Sequence, residues 1–193
     1  MSKLIMWNLI TLDGFFEGAQ SWDLDFHQSV WGDELERLCI EQLQSADGLL
    51  FGRVTYEGMA AYWQTAKGEV ADFMNGLPKI AVSRTLARAD WHNTKLIRDN
   101  AASEIEQLKQ KGGKNIFVFG SANLSATLMQ HNLFDEYRIA VAPVVLGRGT
   151  PLFSENKSRF NLKHLDTRTL ANGCVILRYQ PEFPAALTGS RAS

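Results

Sequence analysis

Three short runs place glycine, hydroxyl and cationic side chains directly after an apolar segment. They are Phe51-Gly52-Arg53-Val54-Thr55-Tyr56-Glu57, Val82-Ser83-Arg84-Thr85 and Phe119-Gly120-Ser121-Ala122. Such residues suit phosphate: hydroxyls and guanidinium groups bond its oxygens, and a helix opening at that point adds free N–H groups and partial positive charge. Each run also has a plainer reading. Thr55 is a good helix cap, Arg53 an ordinary surface charge, Ser83 to Thr85 a solvated loop, and Gly120 a glycine of tight packing. Three runs at three strand ends are better evidence than any one, because ligands of open α/β sheets bind beyond the carboxyl ends of the strands.

A second kind of chemistry lies between residues 13 and 26, where Asp13, Glu17, Asp23 and Asp25 are interleaved with Trp22 and Phe26. Reduction of a C=N bond needs a hydride and a proton. A carboxyl group beside an apolar pocket can supply or relay that proton, because burial raises its pKa. Solvated loop charges are the alternative. The chain lacks the G-x-G-x-x-G dinucleotide fingerprint, the P-loop pattern and a G-x-S-x-G elbow, so a nicotinamide cofactor would have to be held another way and no hydrolase nucleophile is visible. His27, His92, His131 and His164 have no metal-ligand spacing; they read as surface or core residues, and no metal is predicted.

These residues must be positioned by elements, and strand-like and helix-like periods alternate almost throughout. Lys3–Ile10, Gly48–Gly52, Lys79–Ser83, Thr94–Arg98, Asn115–Phe119, Tyr137–Val145, Leu162–Leu170 and Cys174–Gln180 read as strands. Helices are expected from an Asp33 cap through Ser45, after Gly52, over Glu69–Asn75 with Gly76 as its stop, from an Asn100 cap to Gly112-Gly113, and after Ser121. Ala171-Asn172-Gly173 between the last two runs is a hairpin signal. The expectation is an α/β three-layer fold: an eight-stranded, mostly parallel sheet with an antiparallel C-terminal hairpin. One domain spans 1–181, and 182–193 reads as a flexible tail.

Composition narrows the partners. The 193 residues are 45% hydrophobic and 21% charged with a net charge of −1, which suits a self-sufficient core and argues against a nucleic-acid surface. No run approaches the ~20 apolar residues that span a bilayer. Cys39 and Cys174 read as buried, reduced thiols, and with no signal-peptide pattern at Met1 the expected compartment is cytoplasmic.

The ordered set of motifs resembles a known family. Gly52-Arg53-Val54-Thr55-Tyr56-Glu57 is similar to the G-R-x-T-[WY]-E signature of dihydrofolate reductases. Thr11-Leu12-Asp13-Gly14 resembles the S-L-D-G of the riboflavin-pathway pyrimidine reductase domain. Asp135-Glu136-Tyr137, the run Pro143 to Gly149, and Leu152-Phe153 resemble that domain's C-terminal half. The likeness covers about Lys3 to Tyr179 and implies the dihydrofolate reductase-like fold with NADPH across the strand ends. It further implies that Gly52, Arg53 and Thr55 face the cofactor phosphates, that Ser83, Arg84 and Thr85 hold the adenosine 2′-phosphate end, and that Gly120, Ser121, Ala122 and Leu124 hold the diphosphate. Trp22-Asp23-Leu24-Asp25-Phe26 resembles the segment in which a tryptophan precedes the pterin-binding carboxylate. Asp25 is accordingly the expected acid, with Asp13 beside it and Trp22, Phe26 and Glu17 about the substrate.

Two departures matter: Ser121 stands where the family often has a second glycine, and the fused deaminase motifs H-x-E and P-C-x-x-C are missing. The implied activity is that of a stand-alone NADPH-dependent reductase of the 5-amino-6-(5-phosphoribosylamino)uracil reductase type, acting on a small heterocyclic or imine substrate. A dihydrofolate or pteridine reductase and a non-catalytic NADP-binding protein are the alternatives. A homodimer, formed along an apolar edge at Val141 to Leu146, is expected by analogy with related reductases.

Overall fold

The computed structural model describes residues 1–153 and 159–182. Strand β1 (Leu4–Thr11) reads Leu-Ile-Met-Trp-Asn-Leu-Ile-Thr and is buried at every position except Leu9. A strand apolar on both faces belongs inside a parallel sheet. β1 accordingly pairs in parallel with β6 (Asn115–Phe119) on one side and β7 (Glu136–Ala142) on the other. Outward from β6 lie β3 (Ala46–Gly52), β4 (Lys79–Val82) and β5 (Thr94–Ile97), all parallel. Beyond β7 lie β10 (Val175–Glu182) and β9 (Asn161–Thr169), antiparallel, giving the order β5-β4-β3-β6-β1-β7-β10-β9.

Alternate residues of the sheet feed two cores. Ile5, Trp7, Leu49, Phe51 and Phe117 pack with Leu35 and Leu43 of α1 (Asp33–Gln44), Tyr56 of α2 (Arg53–Trp63) and Val70 and Met74 of α3 (Glu69–Gly76). Leu4, Met6, Leu50 and Val118 pack with Ile105 of α4 (Ala101–Lys111) and with Leu124 and Leu128 of α5 (Ala122–Gln130). Burying each such leucine or isoleucine fully is worth about 1.5–3 kcal/mol. The chain goes from β1 to β3 and outward to β5, then returns to slot β6 between β3 and β1. Ligands of open sheets bind where the strand order reverses in this way.

Several local expectations change. Gly32, not Asp33, is the N-cap of α1, and Asp33 is its first helical residue. Thr55 lies inside the first turn of α2, whose N-cap is Gly52, so it caps nothing there. Asn100 does occupy the N-cap of α4, but with φ 53° and no side-chain capping bond. Gly76 ends α3 without stopping it. The carbonyls of Met74, Asn75 and Leu77 accept bonds from the buried Lys79 Nζ instead, and the cation complements the helix's negative end.

Only Gly173 of the hairpin loop has positive φ (86°), and its N–H bonds the Leu170 carbonyl while Leu170 and Cys174 pair. This matches a three-residue loop closed by a left-handed glycine rather than the two-residue Asn-Gly turn. Two strands escaped notice, β2 (Phe15–Glu17) and β8 (Thr150–Pro151), which pair as a separate ribbon. β7 ends at Ala142 and is internal, so Val141 lies on no sheet edge; the edges are β5 and β9. β10 runs to Glu182, and the remainder of the expected tail, 183–193, lies outside the described residues. Among the described residues, no helix is long and apolar enough to cross a membrane.

Candidate active site

A cleft of about 1070 Å³ opens beyond the carboxyl ends of β1, β3, β4 and β6, at the upper end of the roughly 300–1,000 Å³ of ligand pockets. Its rim gathers the whole of the third sequence run and parts of the first two. Gly52, Arg53 and Thr55, Ser83 and Arg84, and Gly120, Ser121, Ala122 and Leu124 all line it; Thr85 does not. The N-termini of α2, α4 and α5 open onto this rim, and no side chain caps any of the three. Their first-turn N–H groups therefore have no intrahelical partner and carry partial positive charge.

The joint between the starts of α2 and α5 is sterically tight. Ser121 Oγ accepts the Gly52 N–H at 2.9 Å and lies 2.7 Å from Thr55 Oγ1. A Cβ on Gly52 would stand 2.6 Å from Ser121 Oγ, and one on Gly120 3.0 Å from Thr55 Oγ1. Both glycines are thus required by the meeting of the β3 and β6 turns. Gly120 (φ 54°) and Ser121 (φ 58°) are also left-handed, a conformation that costs most residues energy. The anion-seeking groups left to a ligand are the helix N–H groups and the arginines. Arg53 pairs with Glu57 at 2.9 Å, whereas Arg84 is 86% exposed with Asp99 4.0 Å away.

The other mouth of the cleft is formed by the segment after β2. The Trp22 indole donates to the Val54 carbonyl at 3.3 Å and packs against α2 at Gly58, where a Cβ would come within 1.8 Å of Cε2. Glu17 lines the cleft beside Trp22; its carboxylate accepts the Trp22 N–H at 3.1 Å and the Thr150 hydroxyl at 3.0 Å. Asp13 does not line it. Its oxygens accept the Thr11 hydroxyl (2.6 Å) and the N–H groups of Leu146 (3.2 Å) and Gly147 (2.7 Å), tying the two family-like motifs together. The Thr11 bond, with the two N–H bonds, holds the Asp13 carboxyl below the usual carboxylate range. Asp25 is exposed and Phe26 buried at the start of a 3-10 helix (Asp25–Ser29), and neither lines the cleft, whereas Leu24 and His27 do. That short helix turns Phe26 into the core and Asp25 to solvent.

Comparison with known proteins decides the family: the family model of the RibD C-terminal domain matches residues 2–176. The chain belongs to the RibD C-terminal domain family. The Bacillus subtilis (strain 168) uncharacterized protein YyaP is 32% identical over 185 residues, covering 92% of this chain and 94% of its own length. A putative riboflavin biosynthesis protein from Shewanella sp. PV-4 shares the fold with a TM-score of 0.76 at 21% identity, over 94% of this chain and 99% of that one. Dihydrofolate reductase from Enterococcus faecalis, solved with NADP(H) and RAB-propyl, superposes with a TM-score of 0.63 at 13% identity, over 94% and 97% of the two chains. The dihydrofolate reductase-like α/β fold expected from the motifs is therefore the fold of this RibD C-terminal domain.

Three cleft residues outside the motifs, Asn8, His27 and Gln42, each hold a buried side-chain nitrogen with no partner among the described residues. Asn8 is 6% exposed; its Oδ1 accepts the Gly120 N–H at 2.8 Å, which fixes the amide's orientation, and its Nδ2 has no partner among the described residues. Gln42 is 5% exposed; its Oε1 accepts from Arg138 Nη1 at 3.1 Å, and its Nε2 is likewise unpaired. Arg138 is in turn paired with the buried Glu136 at 2.7 Å. Burial alone would raise the Glu136 carboxyl, but Arg138 and Arg178 together hold it low. His27 Nε2 is the third unpaired buried atom, and desolvation lowers this imidazole to about 4, so it is neutral at pH 7. Native proteins leave few such atoms, and they cluster where ligands or function justify the cost. Sequence carried one usable signal for two of them: Asn8 interrupts an apolar strand, and Gln42 sits on the apolar stripe of α1 seven residues after Leu35.

Proposed function

We propose that this chain is an NADPH-dependent reductase of the riboflavin-pathway type, transferring a hydride to the carbon of a C=N bond in a small heterocyclic or imine substrate. The observation that carries the reading is the shared cleft: three uncapped helix N-termini with Arg53, Ser83 and Arg84 open on one side of it and an apolar chamber on the other. An anionic dinucleotide fits the first side, and the unpaired, orientation-locked Asn8 amide at the β1–β6 junction suits a polar cofactor atom. Arg84, nearly free of protein partners, is the natural ligand for a 2′-phosphate.

The cofactor, when bound, supplies the hydride. The first-turn N–H groups of α2 and α5 hold its phosphates and the joined Gly52–Ser121 turns fix the distance between those helices. Trp7, Phe117 and Phe119 exclude water from the reacting bond. Hydride addition leaves negative charge on the ring nitrogen, so a proton must follow. Two carboxyls line the cleft, Asp99 beside Arg84 on the arginine rim and Glu17 at the opposite mouth, and we assign to Glu17 the relay of that proton from solvent. NADPH oxidation, followed by absorbance against a panel of dihydropterins and ribosyl- and phosphoribosylaminopyrimidines, tests the reading. Sustained turnover with any of them supports it. Tight NADPH binding without oxidation across the panel makes the chain a nucleotide-binding protein instead.

A further inference from the structure

The cleft continues beneath the sheet into a chamber between β1, β6, α1 and α3, and its chemistry restricts the substrate. Trp7, Phe117, Leu35, Leu43, Trp63 and Met74 form most of its wall. Its polar groups are Gln42, His27 and Cys39. The histidine is neutral at pH 7, and burial, with Glu36 nearby, pushes the Cys39 thiol up to about 12. The cationic side chains that line the cleft, Arg53, Arg84 and Arg98, all follow β3, β4 and β5 on the cofactor side. Arg138 stands behind Gln42 and does not line the chamber; its charge is met by Glu136. At the mouth, among Phe16, Ser21, Trp22 and Thr150, the one charged group among the described residues is the Glu17 carboxylate.

We propose that the substrate is an uncharged, flat, largely apolar heterocycle bearing a hydrogen-bond acceptor toward Gln42, and not a phosphorylated sugar conjugate. This rests on the reductase reading and names its substrate class. A phosphate entering the chamber would lose water with no cation to replace it, and one left at the mouth would face Glu17. A neutral ring costs little to desolvate and packs against the apolar wall at Trp7. Gln42 offers a donor and not an acceptor, because Arg138 can only donate and so holds the amide oxygen on its own side.

The test uses the full chain saturated with NADP, after a separate titration has established that NADP binds. Absence of that binding strikes the reductase reading, whereas the steps that follow strike only this inference. The affinity of 5-amino-6-(5-phosphoribosylamino)uracil is compared calorimetrically with that of its dephosphorylated ribosylamino counterpart. The dephosphorylated compound should bind at least ~10-fold tighter, as expected when one ligand brings an unpaired charge to a site of like or no charge. Glu17→Lys should narrow that ratio by improving the phosphorylated ligand selectively. Equal or tighter binding of the phosphorylated compound to the unmodified protein overturns the proposal, as does a ratio that Glu17→Lys leaves unmoved.

Discussion

The Ser121 hydroxyl stands 2.7 Å from the Thr55 hydroxyl and accepts the Gly52 N–H, so one side chain joins the two turns from which α2 and α5 start. Sequence alone suggests Ser121 as a residue that faces a diphosphate and is otherwise free. The geometry gives it a second duty, and a change there acts on stability as well as on binding. Ser121→Ala leaves the Gly52 N–H without its acceptor, a loss of about 1–3 kcal/mol for a buried donor. Differential scanning calorimetry of the apo protein should register a Tm lower by roughly 2–4 °C per kcal/mol lost. An unchanged Tm would mean that water replaces the hydroxyl and that the joint is not structural.

The Trp22–Gly58 contact yields a prediction of opposite internal sign. An alanine at 58 favours the helix by about 1 kcal/mol in itself, yet its Cβ would occupy the indole's position. Gly58→Ala should therefore displace Trp22 from α2 and loosen the mouth segment. We expect substrate KM to rise severalfold, Kd for NADPH to change little, and tryptophan emission to move toward that of a hydrated indole. Unaltered emission and KM together would show that Trp22 does not border the bound substrate.

His27 gives a pH signature. Its folded-state pKa is depressed to about 4 from 6.5 by desolvation, so between those values the unfolded chain binds more protons. Stability from this residue is complete above pH 6.5 and declines as pH falls from there through 4, by about 3 kcal/mol in all. Denaturant titrations at pH 7 and pH 4.5 should show a smaller drop for His27→Gln than for the unmodified protein. Identical drops would assign the acid sensitivity to other groups.

The proton relay separates two carboxylates. Glu17→Gln should lower kcat by roughly 10²-fold, within the range of general acid catalysis, while Kd for NADPH is maintained. Asp25→Asn, at an exposed position outside the cleft, should stay within about twofold of the parent. The reverse pattern would return the assignment to Asp25 and require the 3-10 helix to turn over on binding substrate.

The central parallel strands were legible because doubly covered strands are unbroken apolar runs, as in Asn115–Phe119, and the antiparallel β9 and β10 because turn residues separate them at Ala171-Asn172-Gly173. β2 and β8 were not, since three and two residues carry no period and their pairing depends on Asp13 drawing the Leu146–Gly147 turn inward. The cofactor rim was legible because glycine, hydroxyl and arginine recur at strand ends. The acids were not: whether Asp13, Glu17 or Asp25 faces the cleft is set by a tertiary ribbon and by one 3-10 turn. Gln42 was overlooked because a single polar residue on an apolar helix face looks like a boundary position until Arg138 is found behind it.

The central claim is that the rim of uncapped helices and arginines receives NADPH, and paired calorimetric titrations with NADPH and NADH test it most directly. Arg84 is exposed and among the described residues its ion-pair partner is Asp99, at 4.0 Å, so a 2′-phosphate should recruit it with a charge-assisted bond worth about 1.5–3 kcal/mol. NADPH should therefore bind at least ~10-fold tighter than NADH, and Arg53→Ala combined with Arg84→Ala should remove most of that preference. Equal affinities for the two cofactors in the unmodified protein, or no binding of either, would contradict the account.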